Sequence, residues 1–169
     1  MTASDMAPFG AHRSTLPHES GLREVFAAFA TGVTVVAATD PRTGRPFGFT
    51  TSSFTSVALD PPLILLSVDH AHPVWPRVRD RRYWCVNVLA EQHTTAAGPD
   101  GGFPAPGWSR SPHGAPVLDG ALAWLECSLE AEHRTGDRRI VVARVVHLDT
   151  HAPGRPLVRF RNRRGTFTD

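Results

Sequence analysis

Apolar positions follow several distinct rhythms along the chain. Leu22, Val25, Phe26 and Phe29 fall at i, i+3, i+4 and i+7, the spacing of one helix face. Ser20 offers a capping hydroxyl ahead of them and Thr31-Gly32 a stop, so a one-sided helix is predicted. From Val33 to Thr39 the rhythm becomes an unbroken run of β-branched and small apolar residues closed by Asp40-Pro41, the pattern of a buried strand. Pro41-Arg42-Thr43-Gly44-Arg45 has hairpin-turn chemistry and returns the chain into Pro46–Thr50. Leu63–Val68 reads as a continuous apolar strand. Pro73–Arg82 sets Val74, Trp75 and Val78 at helical spacing among arginines, which predicts a short helix.

Tyr83–Leu89 is a further strand with one polar intruder, Asn87. A buried Asn needs partners, so it either bridges backbone groups or faces a ligand. Two long strands follow a loose Gly- and Pro-rich stretch, 98–116, that is anchored only by Phe103 and Trp108. In Ala121–His133, Ala123, Leu125, Cys127, Leu129 and Ala131 point one way, and Trp124, Glu126, Ser128, Glu130 and Glu132 the other. Arg138–Leu148 is apolar on both faces, and Thr135-Gly136-Asp137 makes a tight hairpin between the two. Leu157–Phe160 and Gly165–Phe167 are candidate closing strands. Seven or so strands, hairpin turns and few helices predict a mainly β, antiparallel barrel.

Composition narrows the class. At 169 residues, with 41% hydrophobic and 20% charged residues, the expectation is one globular domain over 20–169, preceded by a flexible arm over 1–19. No window holds eighteen consecutive apolar residues and the first twenty lack a signal-peptide core, so a cytoplasmic protein without a membrane span is expected. All eighteen basic residues are Arg, spread along the chain with a crowd at Arg155, Arg159, Arg161, Arg163 and Arg164. That spread reads as surface charge rather than a nucleic-acid footprint, although a basic tail suits a phosphate or pyrophosphate. Cys85 and Cys127 sit in apolar surroundings without Cys-x-x-Cys spacing, so buried free thiols are expected.

One stretch stands apart. Gly48 to Pro62 packs Thr50, Thr51, Ser52, Ser53, Thr55 and Ser56 into seven positions before an Asp60-Pro61-Pro62 corner. Hydroxyls donate and accept, and they suit phosphate, ribityl or heterocycle edges as well as ordinary solvent. The chain has no G-x-G-x-x-G, no P-loop and no G-x-S-x-G elbow. His70-x-His72 lacks a third ligand at a telling spacing, so no metal is expected.

These motifs, in order, resemble the flavin reductase family with its FMN-binding split-barrel fold. The resemblance is carried by Phe29-Ala30-Thr31-Gly32-Val33-Thr34-Val35-Val36, Gly48 to Val57 and Asp60-Pro61-Pro62-Leu63. It continues through Val86-Asn87-Val88-Leu89, Gly114-Ala115-Pro116-Val117-Leu118, Ala123-Trp124-Leu125-Glu126-Cys127 and Gly136-Asp137, and covers residues 22 to 167. It implies a split β-barrel homodimer that takes hydride from NADH or NADPH and supplies reduced FMN or FAD to a partner monooxygenase. Carried over, Phe49, Thr50, Thr51, Ser52, Ser53 and Ser56 would edge the flavin, Ser67, Val68 and Asp69 would flank it, and Asn87 would support the site. Asp137 and Arg138 would lie on the nicotinamide side, with Arg138 standing where the family usually has His. After Leu89 the chain is shorter than the family pattern, Ala143 replaces a usual Gly, and Val74 replaces a usual Ser or Thr. Those departures keep a second reading open: a flavin- or ligand-binding split-barrel protein that has lost reductase activity.

Overall fold

The computed structural model describes residues 18–94, 107–151 and 153–166. Helix α1 (Glu19–Ala27) precedes strands β1 (Thr31–Gly32), β2 (Thr34–Thr39), β3 (Pro46–Thr51), β4 (Thr55–Leu59) and β5 (Pro62–Asp69). After helix α2 (Trp75–Arg79) come β6 (Trp84–Val88), β7 (Trp108–Arg110), β8 (Pro116–Leu118), β9 (Ala123–Thr135), β10 (Arg138–Thr150), β11 (Leu157–Phe160) and β12 (Arg163–Thr166). The chain is mainly β and antiparallel, as its patterning predicts. Residues 1–17 of the expected arm, 98–106 of the loose stretch and Phe167 lie outside the described residues.

Seven strands form the main sheet in the order β3-β2-β6-β9-β10-β5-β4. Its two edge strands, β3 and β4, are consecutive in the chain and joined only by Ser52, Ser53 and Phe54. If flat, seven strands would hold those edges about 29 Å apart. The four steps from Thr51 to Thr55 reach at most about 14 Å. The sheet therefore curls until its edges meet, and the hydroxyl run is the seam. This is why a short polar corner organises a whole barrel.

Inside the barrel, Val36, Phe49, Leu66, Val68, Trp84, Val86, Cys127 and Val141 form the principal core with Trp75 and Val78 of α2. The other face of β2 is covered too: Val35 and Ala37 pack with Leu89, Leu118, Ala121 and Leu157. Burial on both faces explains an unbroken apolar run where a half-exposed strand would alternate. Gly48 is required by close approach, because a Cβ there would strike the Val36 carbonyl oxygen. Gly136, at φ +59°, turns the β9–β10 hairpin.

Four expectations change. The helix begins at Glu19 with His18 as its cap residue, and no side chain caps it; Glu19 pairs instead with Arg23 one turn on. The apolar stripe of α1 is not buried in the single chain: Phe26 is 69% and Phe29 74% exposed. The candidate closing strands do not join the barrel but form a separate three-stranded sheet, β1-β11-β12. The loose stretch ends in a small ribbon, β7 against β8, that lies on the outer face of the barrel around Cys85 and Trp124.

Candidate functional site

The seam is stitched by hydroxyls. Thr51 Oγ1 and Ser53 Oγ lie 2.8 Å apart, and the Ser53 amide donates to Thr51 Oγ1 at 3.2 Å. Ser53 Oγ donates to the Ser67 carbonyl at 2.8 Å and accepts from the Ser67 amide at 2.9 Å. One side chain thereby satisfies both backbone groups of a residue on β5, as a neighbouring strand would. Arg138, at the start of β10, continues the network: its Nε donates to Ser67 Oγ at 3.1 Å and its Nη2 to the Ser67 carbonyl at 2.8 Å. Its Nη1 also stands 3.9 Å from Asp69 Oδ2. The β5–β10 register explains the meeting, since Arg138 lies opposite Asp69 and Ile140 opposite Ser67. Asp137 contributes its backbone, accepting from the His70 amide at 2.9 Å.

On the other side of the corner the same run borders a groove. Two adjoining cavities of about 300 Å³ each share Ser52, Arg159 and Asn162. Thr50, Thr51 and Arg164 line one of them, and Arg23, Phe26, Phe29 and Thr31 the other. Arg159 donates to Asn162 Oδ1 at 3.0 Å, and Arg164 to the Thr94 carbonyl at 2.7 Å. Both guanidiniums keep further donors for an anion. The groove thus joins a hydroxyl wall, two fixed cations and an aromatic margin, the donor set that fits a phosphorylated heterocycle. Sequence reading placed Arg159 and Arg164 in a surface tail and missed Asn162. The signal was their crowding, but only the β1-β11-β12 sheet carries that hairpin to the seam.

The expected site residues separate into groups. Thr50, Thr51 and Ser52 line the groove, while Ser53, Ser67 and Arg138 form the stitched network beside it. Asp69 is exposed at the end of β5, and its carboxylate accepts from the Ala71 amide at 2.8 Å. Ser56 is exposed on β4 and does not line these cavities. Phe49 and Val68 are core residues, because strand alternation turns their side chains into the barrel. Phe49 packs against His72 and Trp75, so its side chain does not edge the groove. Asn87, fully buried, resolves to the backbone-bridging alternative. Its Nδ2 donates to the Val35 and Pro116 carbonyls, and its Oδ1 accepts from the Leu118 amide at 2.8 Å. Its side chain ties β2, β6 and β8 together.

Burial lowers the His72 pKa, with Asp69 opposing and Arg138 reinforcing that shift. The neutral ring accepts from the Val74 amide through Nδ1 at 3.2 Å. Both cysteines are free and buried, and burial pushes the Cys127 thiol up to about 12, which removes it as a nucleophile.

The flavin reductase like domain model matches residues 26–168. The chain is 41% identical over 129 residues to the stachydrine N-demethylase reductase subunit of Rhizobium meliloti, covering 73% of this chain and 56% of that protein. It therefore spans just over half the length of that relative. It is 36% identical over 144 residues to the reductase subunit of a flavin-dependent monooxygenase of Rhodococcus jostii, covering 82% of this chain and 73% of that one. Among solved structures, an NADH:FAD oxidoreductase of Streptomyces globisporus superposes with a TM-score of 0.80 at 30% identity, over 92% of this chain and 98% of that one. Motifs in register, a barrel sealed by hydroxyls and a family match over most of the chain converge, and the protein belongs to the flavin reductase family with the split-barrel fold.

Proposed function

We propose that this chain is an NAD(P)H-dependent flavin reductase that hands reduced FMN or FAD to a separate monooxygenase. The observation that carries this reading is the groove in which Thr50, Thr51 and Ser52 face Arg159, Asn162 and Arg164. The reductase-subunit names of its relatives support the same reading. A bound flavin would supply the acceptor for a hydride from reduced nicotinamide, and would carry the electrons to the partner. The chain's own part is binding and orientation. The hydroxyls offer donors and acceptors to polar edges, and Arg159 and Arg164 offset phosphate charge. Arg138, held by Ser67, keeps a cation at the far end of the seam, where the nicotinamide nucleotide would approach.

A homodimer belongs to the same proposal. Val25, Phe26 and Phe29 on and beside α1, with Leu59 94% exposed on β4, leave an apolar surface that a second copy would cover. We place the enzyme in the cytoplasm, where nicotinamide nucleotides are supplied. Among the described residues no helix is long and apolar enough to cross a membrane.

The test is nicotinamide oxidation by purified protein with added FMN or FAD and either NADH or NADPH. Turnover above the protein-free control, reduced by Arg159→Ala chiefly through the flavin KM, is the expected outcome. Flavin binding without oxidation in any combination would instead establish the non-reductase alternative.

A further inference from the structure

On the outer face of the barrel, away from the seam, a turn and a strand converge on one carboxylate of β9. Glu126 of β9 is 0% exposed. Its Oε2 lies 3.0 Å from His113 Nδ1 and 3.2 Å from His147 Nδ1. Its Oε1 accepts from the Ser111 hydroxyl, and the His113 amide is shared between Oε1 at 3.2 Å and Oε2 at 3.3 Å. The three ligand atoms lie within 4.8 Å of one another.

Local structure holds each of them there. A register shift between Val145 and His147 in β10 sets His147 opposite Glu126, re-aiming it as bulges do. The turn Ser111–Gly114, closed by the Gly114 amide on the Ser111 carbonyl at 2.9 Å with Gly114 at φ +86°, lays His113 over the same oxygen. Tyr83 stacks on His113 with ring centroids 4.1 Å apart and fixes the ring plane.

We propose that His113, Glu126 and His147 form a binding site for a single divalent transition-metal ion, zinc foremost. Two imidazoles and one carboxylate are a donor set that zinc takes, leaving a fourth position for water. With metal–ligand bonds near 2.0–2.1 Å, ligand atoms on a tetrahedral ion lie about 3.3 Å apart. The two observed separations from Oε2 already approach that spacing. Both imidazoles are about two-fifths exposed, so an ion can enter from solvent and the rings can rotate the small amount needed to close the third edge. For binding, each ring presents a bare Nδ1 and carries its proton on Nε2. Ser111 holds Oε1 and the His113 amide straddles both oxygens, which together orient the carboxylate so that Oε2 faces the two imidazoles. The ion would strap the turn after β7 onto β9 and β10. The site is independent of the flavin reading, because it lies on the opposite face of the sheet from the core that backs the seam.

The experiment uses full-length protein stripped with a chelator and titrated with zinc by calorimetry, with cobalt as a coloured substitute. One ion per chain is expected, with a rise in melting temperature. His113→Ala/His147→Ala should weaken that affinity at least about 100-fold, since even outer-shell changes cost ten- to hundredfold. His70→Ala/His72→Ala should leave it unchanged. Loss of binding in the second variant, or equal binding in the first, would assign the ion to other histidines and overturn the proposal. Should the first variant fail to fold, the wild-type cobalt spectrum decides. Tetrahedral d–d bands that saturate at one equivalent and vanish with zinc support the site; their absence overturns it.

Discussion

The seam at Thr51–Ser67 and the pocket around Glu126 are both polar patches in a barrel that is otherwise apolar within, and they are built by opposite means. At the seam, hydroxyls close in sequence share hydrogen bonds among themselves and with one backbone, and the one charged member, Arg138, keeps its head group partly in water. Around Glu126 a whole carboxylate is removed from water and matched by partners from two other segments, the Ser111–Gly114 turn and β10. A hydroxyl is cheap to leave facing solvent or a ligand, whereas a buried charge without partners is among the costliest groups in a fold. The seam can therefore adapt to a ligand, and the Glu126 pocket must be complete before the fold is stable.

The sharpest way to break this contrast is Glu126→Ala in metal-free protein. It strands the Ser111 hydroxyl and the His113 amide beside a cavity, and should cost about 3 kcal/mol of stability in urea unfolding. Asn87→Ala should follow at about 2 kcal/mol, because the Leu118 amide loses its partner in a dry interior. Arg159→Ala, by contrast, should leave stability within about 0.5 kcal/mol while raising the flavin KM roughly tenfold, the worth of one charge-assisted hydrogen bond. If it unfolded the protein as readily as Glu126→Ala, the distinction between a binding groove and a structural pocket would fall. Ser52→Ala should show the smallest stability change, with a severalfold loss of flavin affinity by fluorescence titration.

A pH series adds the last comparison. Burial alone would raise the Glu132 carboxyl, but hydrogen bonds from Arg139 and Trp75 and the charges of Arg139 and Arg79 outweigh it and hold the pKa below its ordinary 4.5. A depressed carboxyl contributes stability above its unfolded value and loses it as pH falls through the folded one. The His72 pKa, lowered from 6.5, has the same sign of effect at higher pH. Stability should thus fall gently below about pH 6.5 and more steeply below about pH 4.5. Glu132→Gln should flatten the lower step, as read by urea midpoints across the series.

Much of the barrel was legible in the residues. Val33–Thr39, Leu63–Val68 and the β9–β10 pair announce themselves by local periodicity, because a strand's burial pattern is written at its own positions. The hydroxyl run was legible for the same reason, its members being neighbours. The uncovered stripe of α1 was legible as a stripe but not as exposed, since what covers a helix face lies elsewhere.

By itself, then, the sequence determined the β architecture, the hairpins and the hydroxyl corner, all of which depend on interactions among residues close in the chain. Only the tertiary structure decided that the corner is the seam of a curled sheet, that Phe49 and Val68 face the barrel core, and that Asn87 points the other way, to bridge β8. It alone carries Arg159 and Arg164 to the groove, and only the bulge in β10 sets His147 against Glu126. Each of these depends on pairings between distant strands, and one residue of register or one bulge turns a side chain from solvent to core.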